Sequence, residues 1–221
     1  MTTIPHQTDS RMNEILDSIK TAFASKGFDG ASMQDLARSA GMSAGNFYRY
    51  FPSKDAIIAA IVSRDLGDVQ REFNDIIRSP RPREMFRDLI RRRVEVLDGE
   101  KGAIMAEISA FAARSPEIAA LMSQFEATIL GYLTAIFGHI AGVSEAEAQE
   151  KFAAHGRLIM LLVHGMSMRG SCGSAGTVRH GDRELAELVL LTIERMLTDI
   201  GETKPVQHSV PTQHTMIEGV N

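Results

Sequence analysis

The sequence predicts an all-α fold, and three observations carry that expectation. Apolar residues recur at three- and four-residue spacings through almost the whole chain, and no run alternates β-branched and polar residues between turns. Ser, Gly and Pro punctuate the periodic stretches at helix-length intervals, which gives about nine helices. The 221 residues, 44% hydrophobic and 24% charged, suffice for one large or two modest globular domains with cores of their own.

Met12, Ile15, Leu16, Ile19 and Phe23 share one stripe of a first helix over residues 10–26, and Gly27 closes it. Ser32 caps a short second helix, 33–40, with Met33, Leu36, Ala37 and Ala40 facing inward. Gly41 then provides a turn open to positive φ. Ser43 caps a third helix from Ala44 to Tyr50, which Pro52 ends by driving its predecessor out of the α region. Ser53 caps a long fourth helix bearing Ile57, Ile58, Ile61, Val62, Leu66, Val69, Phe73 and Ile77. At 1.5 Å per residue it runs on the order of 35–40 Å.

Two prolines in the four residues Ser79 to Pro82 cannot continue a helix and mark the domain boundary. Beyond them helices are expected near 83–98, 103–113, 116–141, 145–169 and 182–200, separated by Gly99 and Gly102, Ser115-Pro116, Gly142 and the stretch 170–181. The organisation expected is a flexible arm at 1–9, a helix-turn-helix domain at 10–55, a connecting helix at 56–78, a larger helical body at 79–201 and a disordered tail at 202–221.

Composition narrows the function. The richest apolar run, Leu158 to Val163, is far short of the roughly 20 residues of a spanning helix, so no membrane partner is expected. The first residues lack the charged and apolar regions of an export signal, and a cytoplasmic location is the expectation. A single cysteine, Cys172, excludes an intrachain disulfide. The seven histidines are scattered, so no metal site is expected. No nucleophile–base pairing and no strand-terminated glycine loop point to an enzyme or a bound cofactor. Gly170 to Gly176 is glycine-rich but follows a helix, and reads as a linker. Arg91, Arg92 and Arg93 fan around a helix and read as a solvated surface with Asp88 and Glu95.

The net charge of −4 is unusual for a nucleic-acid binder, but its distribution is uneven. Residues 1–64 hold seven Lys and Arg against six Asp and Glu, a net of +1, which leaves −5 on the remainder. Two short helices joined by Gly41, Met42 and Ser43, behind a longer support helix, have the proportions of a helix-turn-helix. Phe47 and Phe51 lie one turn apart and face the small core. The other side of the third helix offers Ala44, Gly45, Asn46, Tyr48 and Arg49 to a major groove, with Ser43 at its start and a Tyr50 hydroxyl beside it. Ser32 and Gln34 open the second helix, and Lys54 lies in the first turn of the fourth, where its ammonium and free N–H groups both favour a phosphate. Taken alone, such an aromatic cluster is more often core than reading surface.

The segment from Ser32 to Asp55 resembles the DNA-binding signature of the tetracycline-repressor (TetR/AcrR) family. The likeness rests on the Leu36-Ala37 pair before the turn glycine, the pattern Gly41-x-Ser43-x-Gly45-x-Phe47-Tyr48-x-Tyr50-Phe51, and Lys54-Asp55 opening the fourth helix. It covers about residues 13–62. The resemblance implies phosphate contacts at Ser32, Tyr48, Tyr50 and Lys54, and base-facing positions at Gln34, Ala44, Gly45, Asn46 and Arg49. Ala44 stands where many members carry Lys, and Asn46 where Thr or Ser is common, so the operator sequence is not carried over.

It also implies a DNA-binding transcriptional regulator, a repressor released from double-stranded operator DNA by a small-molecule ligand. The alternatives are a helical protein-interaction module without DNA binding and an activator of the same fold. The helices near 145–169 and 182–200 are apolar on two faces, and the family pairs its last two helices into a dimer interface. Leu158, Leu162, Leu188 and Leu191 are the residues expected there in a homodimer. The effector cavity is expected among Phe111, Phe125, Met160 and His164, with Glu107 as a polar handle.

Overall fold

The computed structural model describes residues 5–95, 99–171 and 180–202, and among them nine helices and no strand. The helices are α1 (Pro5–Gly30), α2 (Met33–Ser39), α3 (Ala44–Tyr50), α4 (Lys54–Arg78), α5 (Pro82–Glu95), α6 (Gly99–Ala112), α7 (Pro116–Ala141), α8 (Glu145–Ser171) and α9 (His180–Glu202). The all-α expectation holds element by element. Residues 1–4, 96–98 and 172–179, with Cys172 and most of the glycine-rich stretch, lie outside the described residues, as does 203–221 of the expected tail.

Three boundaries differ from the sequence reading. α1 begins at Pro5, inside the arm expected to be flexible, since proline is tolerated in a first helical turn. Gly27 does break α1, with φ +69 and ψ 168, but one further turn follows it to Gly30. Gly99 and Gly102 lie within α6 instead of before it. An interior glycine costs only about 1 kcal/mol against alanine, and buried Ile104 and Ile108 hold this helix in place.

The caps follow the sequence closely. Ser32, Ser43, Ser53 and Ser115 each accept a backbone N–H at the start of α2, α3, α4 and α7. α2 ends in a Schellman motif. Gly41 takes φ +65, its N–H bonds to the Arg38 carbonyl, and the Met42 N–H reaches back to Ala37.

Two apolar clusters form, and α4 belongs to both. Ile57, Ile58, Ile61 and Val62 join Ile15, Leu16, Ile19, Phe23, Leu36, Phe47 and Phe51 in the head. Val69, Phe73 and Ile76, further along α4, join Phe86, Leu133, Ile136, Phe137, Ile193 and Leu197 in the body. The head is not closed by residues 10–62 alone: Ile104 and Ile108 of α6 and Ile118 of α7 are buried in its core. Body helices α7 and α8 approach closely, since a Cβ on Gly156 would fall 2.7 Å from Leu130 Cδ1. Thr134, buried on α7, donates to the Gln149 Oε1 of α8 at 2.8 Å. Arg83 ties α5 to α9 through Thr198 Oγ1 at 2.7 Å and Glu194 Oε1 at 3.2 Å.

Among the described residues one helix, α7, is long and apolar enough to cross a membrane by length and mean hydropathy. Its Leu, Ile and Phe are interleaved with Ala, Gly and Thr and form no long unbroken run. α7 packs along α4, α6 and α8 and buries Leu133, Ile136 and Phe137 in the body, although only 22% of its apolar stretch is buried.

Candidate nucleic-acid interface

The geometry of α3 follows from two buried rings. Phe47 and Phe51 are 0% and 1% exposed, with centroids 5.5 Å apart. At about 100° per residue, Gly45 and Arg49 point almost opposite Phe47, with Asn46 and Tyr48 on the flanks. Gly45, Asn46, Tyr48 and Arg49 are indeed exposed, Tyr48 at 47% despite its ring. The same arithmetic puts Ala44 and Tyr50 about 60° from Phe47. Both are half-buried, and Tyr50 packs against the head core.

Ser43 is exposed at the start of α3, and its Oγ accepts the Asn46 N–H at 3.4 Å. Ser32 and Gln34 are exposed at the start of α2. Ser32 is engaged in a complete capping box. Its Oγ donates to Asp35 Oδ2 at 2.7 Å and accepts the Asp35 N–H at 3.1 Å, while the Ser32 N–H donates to Asp35 Oδ2 at 3.2 Å. The bonds from the Ser32 hydroxyl and N–H, helped by Lys26 at 3.5 Å, lower the Asp35 carboxyl from its usual 3.8 to about 2. Arg38 also bonds Asp35, at 3.1 Å. This places Lys26 and Arg38, two cations the sequence reading did not single out, at the same exposed end of α2.

Lys54 is half-buried, and its Nζ donates to the Phe28 carbonyl at 2.5 Å. That bond occupies one of the ammonium's three N–H groups. Lys54 therefore ties the end of α1 to the start of α4, a structural role that its spacing in the sequence did not reveal. Farther along α4, Arg64 donates to Asp17 Oδ1 at 2.9 Å and to the Asn13 carbonyl at 3.4 Å, fixing α1 along α4.

The five residues expected around an effector are distributed between the two clusters. Phe111 and Phe125 are half-buried and pack on the head core, whereas Met160 packs on the body core and His164 is exposed. Glu107 accepts the Phe28 N–H at 3.0 Å, so its carboxylate is engaged by the protein's own backbone. A hollow of about 310 Å³ opens elsewhere, between α4 and α5, lined by Glu72, Asp75, Ile76, Met85, Asp88, Leu89 and Arg92. Of the four residues expected at a dimer interface, Leu158, Leu188 and Leu191 are exposed at 42, 61 and 63%, and Leu162 is half-buried against the body core. Leu161, exposed at 68%, joins the three outward leucines and was not anticipated.

Known proteins of similar sequence and shape agree with this geometry. The sequence profile of the bacterial regulatory proteins of the tetR family matches residues 15–61. The HTH-type transcriptional regulator UidR of Escherichia coli K12 is 26% identical over 152 residues, covering 69% of this chain and 77% of its own. GusR of Salmonella enterica superposes with a TM-score of 0.66 at 23% identity, covering 89% of this chain and 98% of its own. AibR, solved in complex with isovaleryl coenzyme A and operator DNA, superposes with a TM-score of 0.59 at 15% identity, over 83% and 97% of the two chains. The matched profile spans the exposed face of α3 and the rings that hold it, and this chain is a DNA-binding transcriptional regulator whose residues 15–61 match the tetR family.

Proposed function

We propose that the chain acts as a homodimeric repressor that occupies a two-half-site operator in the cytoplasm and leaves it when a small molecule enters the body. The observation that carries this reading is the division of α3 into a locked inner side and an open outer side. Gly45 and Ala44 let the backbone approach base edges, and Asn46 and Arg49 can pair with a base or a phosphate. Ser32, Ser43, Tyr48, Tyr50 and Lys54 supply donors for phosphate oxygens, and Gln34 reaches from the start of α2. The proposed action is binding, with no catalytic step.

Homodimerisation is supported by the outward leucines of α8 and α9. Leu158 and Leu161, like Leu188 and Leu191, are spaced to share one helix face, and four exposed leucines on the last two helices need a cover. A second copy supplies it with two-fold symmetry and presents two reading helices to half-sites about 34–36 Å apart. A net charge of only +1 over residues 1–64 also favours two linked heads over one broad basic surface.

The effector site is assigned to the seam between the clusters, where Phe111, Leu121, Met122 and Phe125 of α6 and α7 are half-buried and Met160 lies on the body side. AibR, which holds both an acyl-coenzyme A and operator DNA, lends support by analogy of fold. Anisotropy titration of the purified dimer on DNA flanking its gene tests the reading. Salt-sensitive, saturable binding with a two-fold footprint is expected, and promoter activity should rise when the gene is deleted. A footprint covering one half-site, or promoter activity that falls on deletion, contradicts the dimeric repressor.

A further inference from the structure

The backbone of Phe28 is fastened at both its N–H and its carbonyl by residues from different parts of the chain. Its N–H donates to Glu107 Oε2 of α6 at 3.0 Å, and its carbonyl accepts from Lys54 Nζ of α4 at 2.5 Å. Its ring is 1% exposed, 4.0 Å from Phe23 of α1 and 6.4 Å from Phe111 of α6 between centroids. The approach depends on Gly27. A Cβ there would sit 3.0 Å from Glu107 Oε2, and the backbone stands at φ +69, which side-chain-bearing residues rarely adopt.

We propose that Glu107 is a positioning residue for DNA binding, holding the reading head on the body through the Phe28 peptide. The proposal rests on the DNA-binding, dimeric reading above. A carboxylate accepting a backbone N–H makes one of the stronger hydrogen bonds available to a protein. From Phe28 the connection passes to Lys54, which follows Phe51, the C-cap of the reading helix, by three residues. The head is therefore held on α6 by the burial of Ile104 and Ile108 in its core and by this directional bond at Phe28, which sets its orientation. Fixing each head on its body matters most where two heads must meet two half-sites together, because a loosely held second head has a lower effective concentration at its site. For one head on one half-site it matters little.

The test uses a duplex enriched from a random pool by the full-length wild-type chain, prepared with both half-sites and with one. Glu107→Ala should bind the two-half-site duplex about tenfold more weakly and the single half-site unchanged within about twofold. By NMR, its Phe28 amide should exchange about tenfold faster, while the amides of Leu36 and Phe47 keep their protection. Glu107→Gln, whose amide oxygen still accepts the N–H, should behave as wild type in every arm. Unchanged Phe28 exchange in Glu107→Ala, equal losses on both duplexes, or a glutamine variant as weak as the alanine one overturns the proposal. A wild-type chain that enriches no duplex contradicts the DNA-binding reading itself, before any variant is made, and removes this role with it.

Discussion

Phe47 of α3 and its C-cap Phe51 meet four residues apart, tilted 49° to each other with centroids 5.5 Å apart, and both are sealed from solvent. This pair holds α3 in place, because a seven-residue helix has too few turns to be stable on its own. Phe47→Ala should destabilise the protein by about 3–5 kcal/mol. Thermal or denaturant unfolding measures the loss, and a change under about 1 kcal/mol would show that α3 is not held by this ring.

Lys54 has two roles to separate: a strut on the Phe28 carbonyl and a proposed phosphate contact. If it touches a phosphate, Lys54→Ala should reduce the slope of log affinity against log salt by about one per protomer. If it is only a strut, affinity falls but the slope stays. Titrations at several salt concentrations decide between them.

The Asp35 carboxyl, lowered from 3.8 to about 2 by the Ser32 hydroxyl and N–H bonds, contributes to stability above its unfolded pKa. That contribution is lost as pH falls from about 4 through about 2. Denaturation midpoints measured over that window should drop less steeply in Asp35→Asn than in wild type. Parallel curves would mean that the capping box does not shape the acid response of the head.

Leu188 and Leu191, at 61 and 63% exposure, are predicted to lie in the dimer seam. Leu188→Glu combined with Leu191→Glu should convert a micromolar dimer to monomer in sedimentation velocity, with helical content unchanged, because charges there meet like charges across a two-fold axis. A dimer that persists would place the interface elsewhere.

Most of the fold was legible in the sequence because its signals are local. Serine caps, the turn glycine Gly41, the prolines around residue 80 and the apolar stripes each act within a few residues of themselves. The inner and outer sides of α3 were legible for the same reason, and angular arithmetic would also have moved Ala44 and Tyr50 to the margins. What escaped were relationships across long separations. Glu107 meets Phe28 across 79 residues through a backbone N–H, and Lys54 reaches its carbonyl across 26. A backbone partner has no side-chain identity to betray it. The burial of Ile104 and Ile108 in the head was hidden similarly, since the apolar pattern of α6 shows that it is buried but not against which neighbour.

The outer side of α3 is proposed to read DNA. The most direct measurement is anisotropy binding to the intergenic DNA beside the gene, comparing wild type with Tyr48→Ala and Arg49→Ala. Both residues are exposed, so thermal stability should stay within about 0.5 kcal/mol of wild type. Affinity should fall by about tenfold or more in each variant. Wild-type affinity in both would contradict the account.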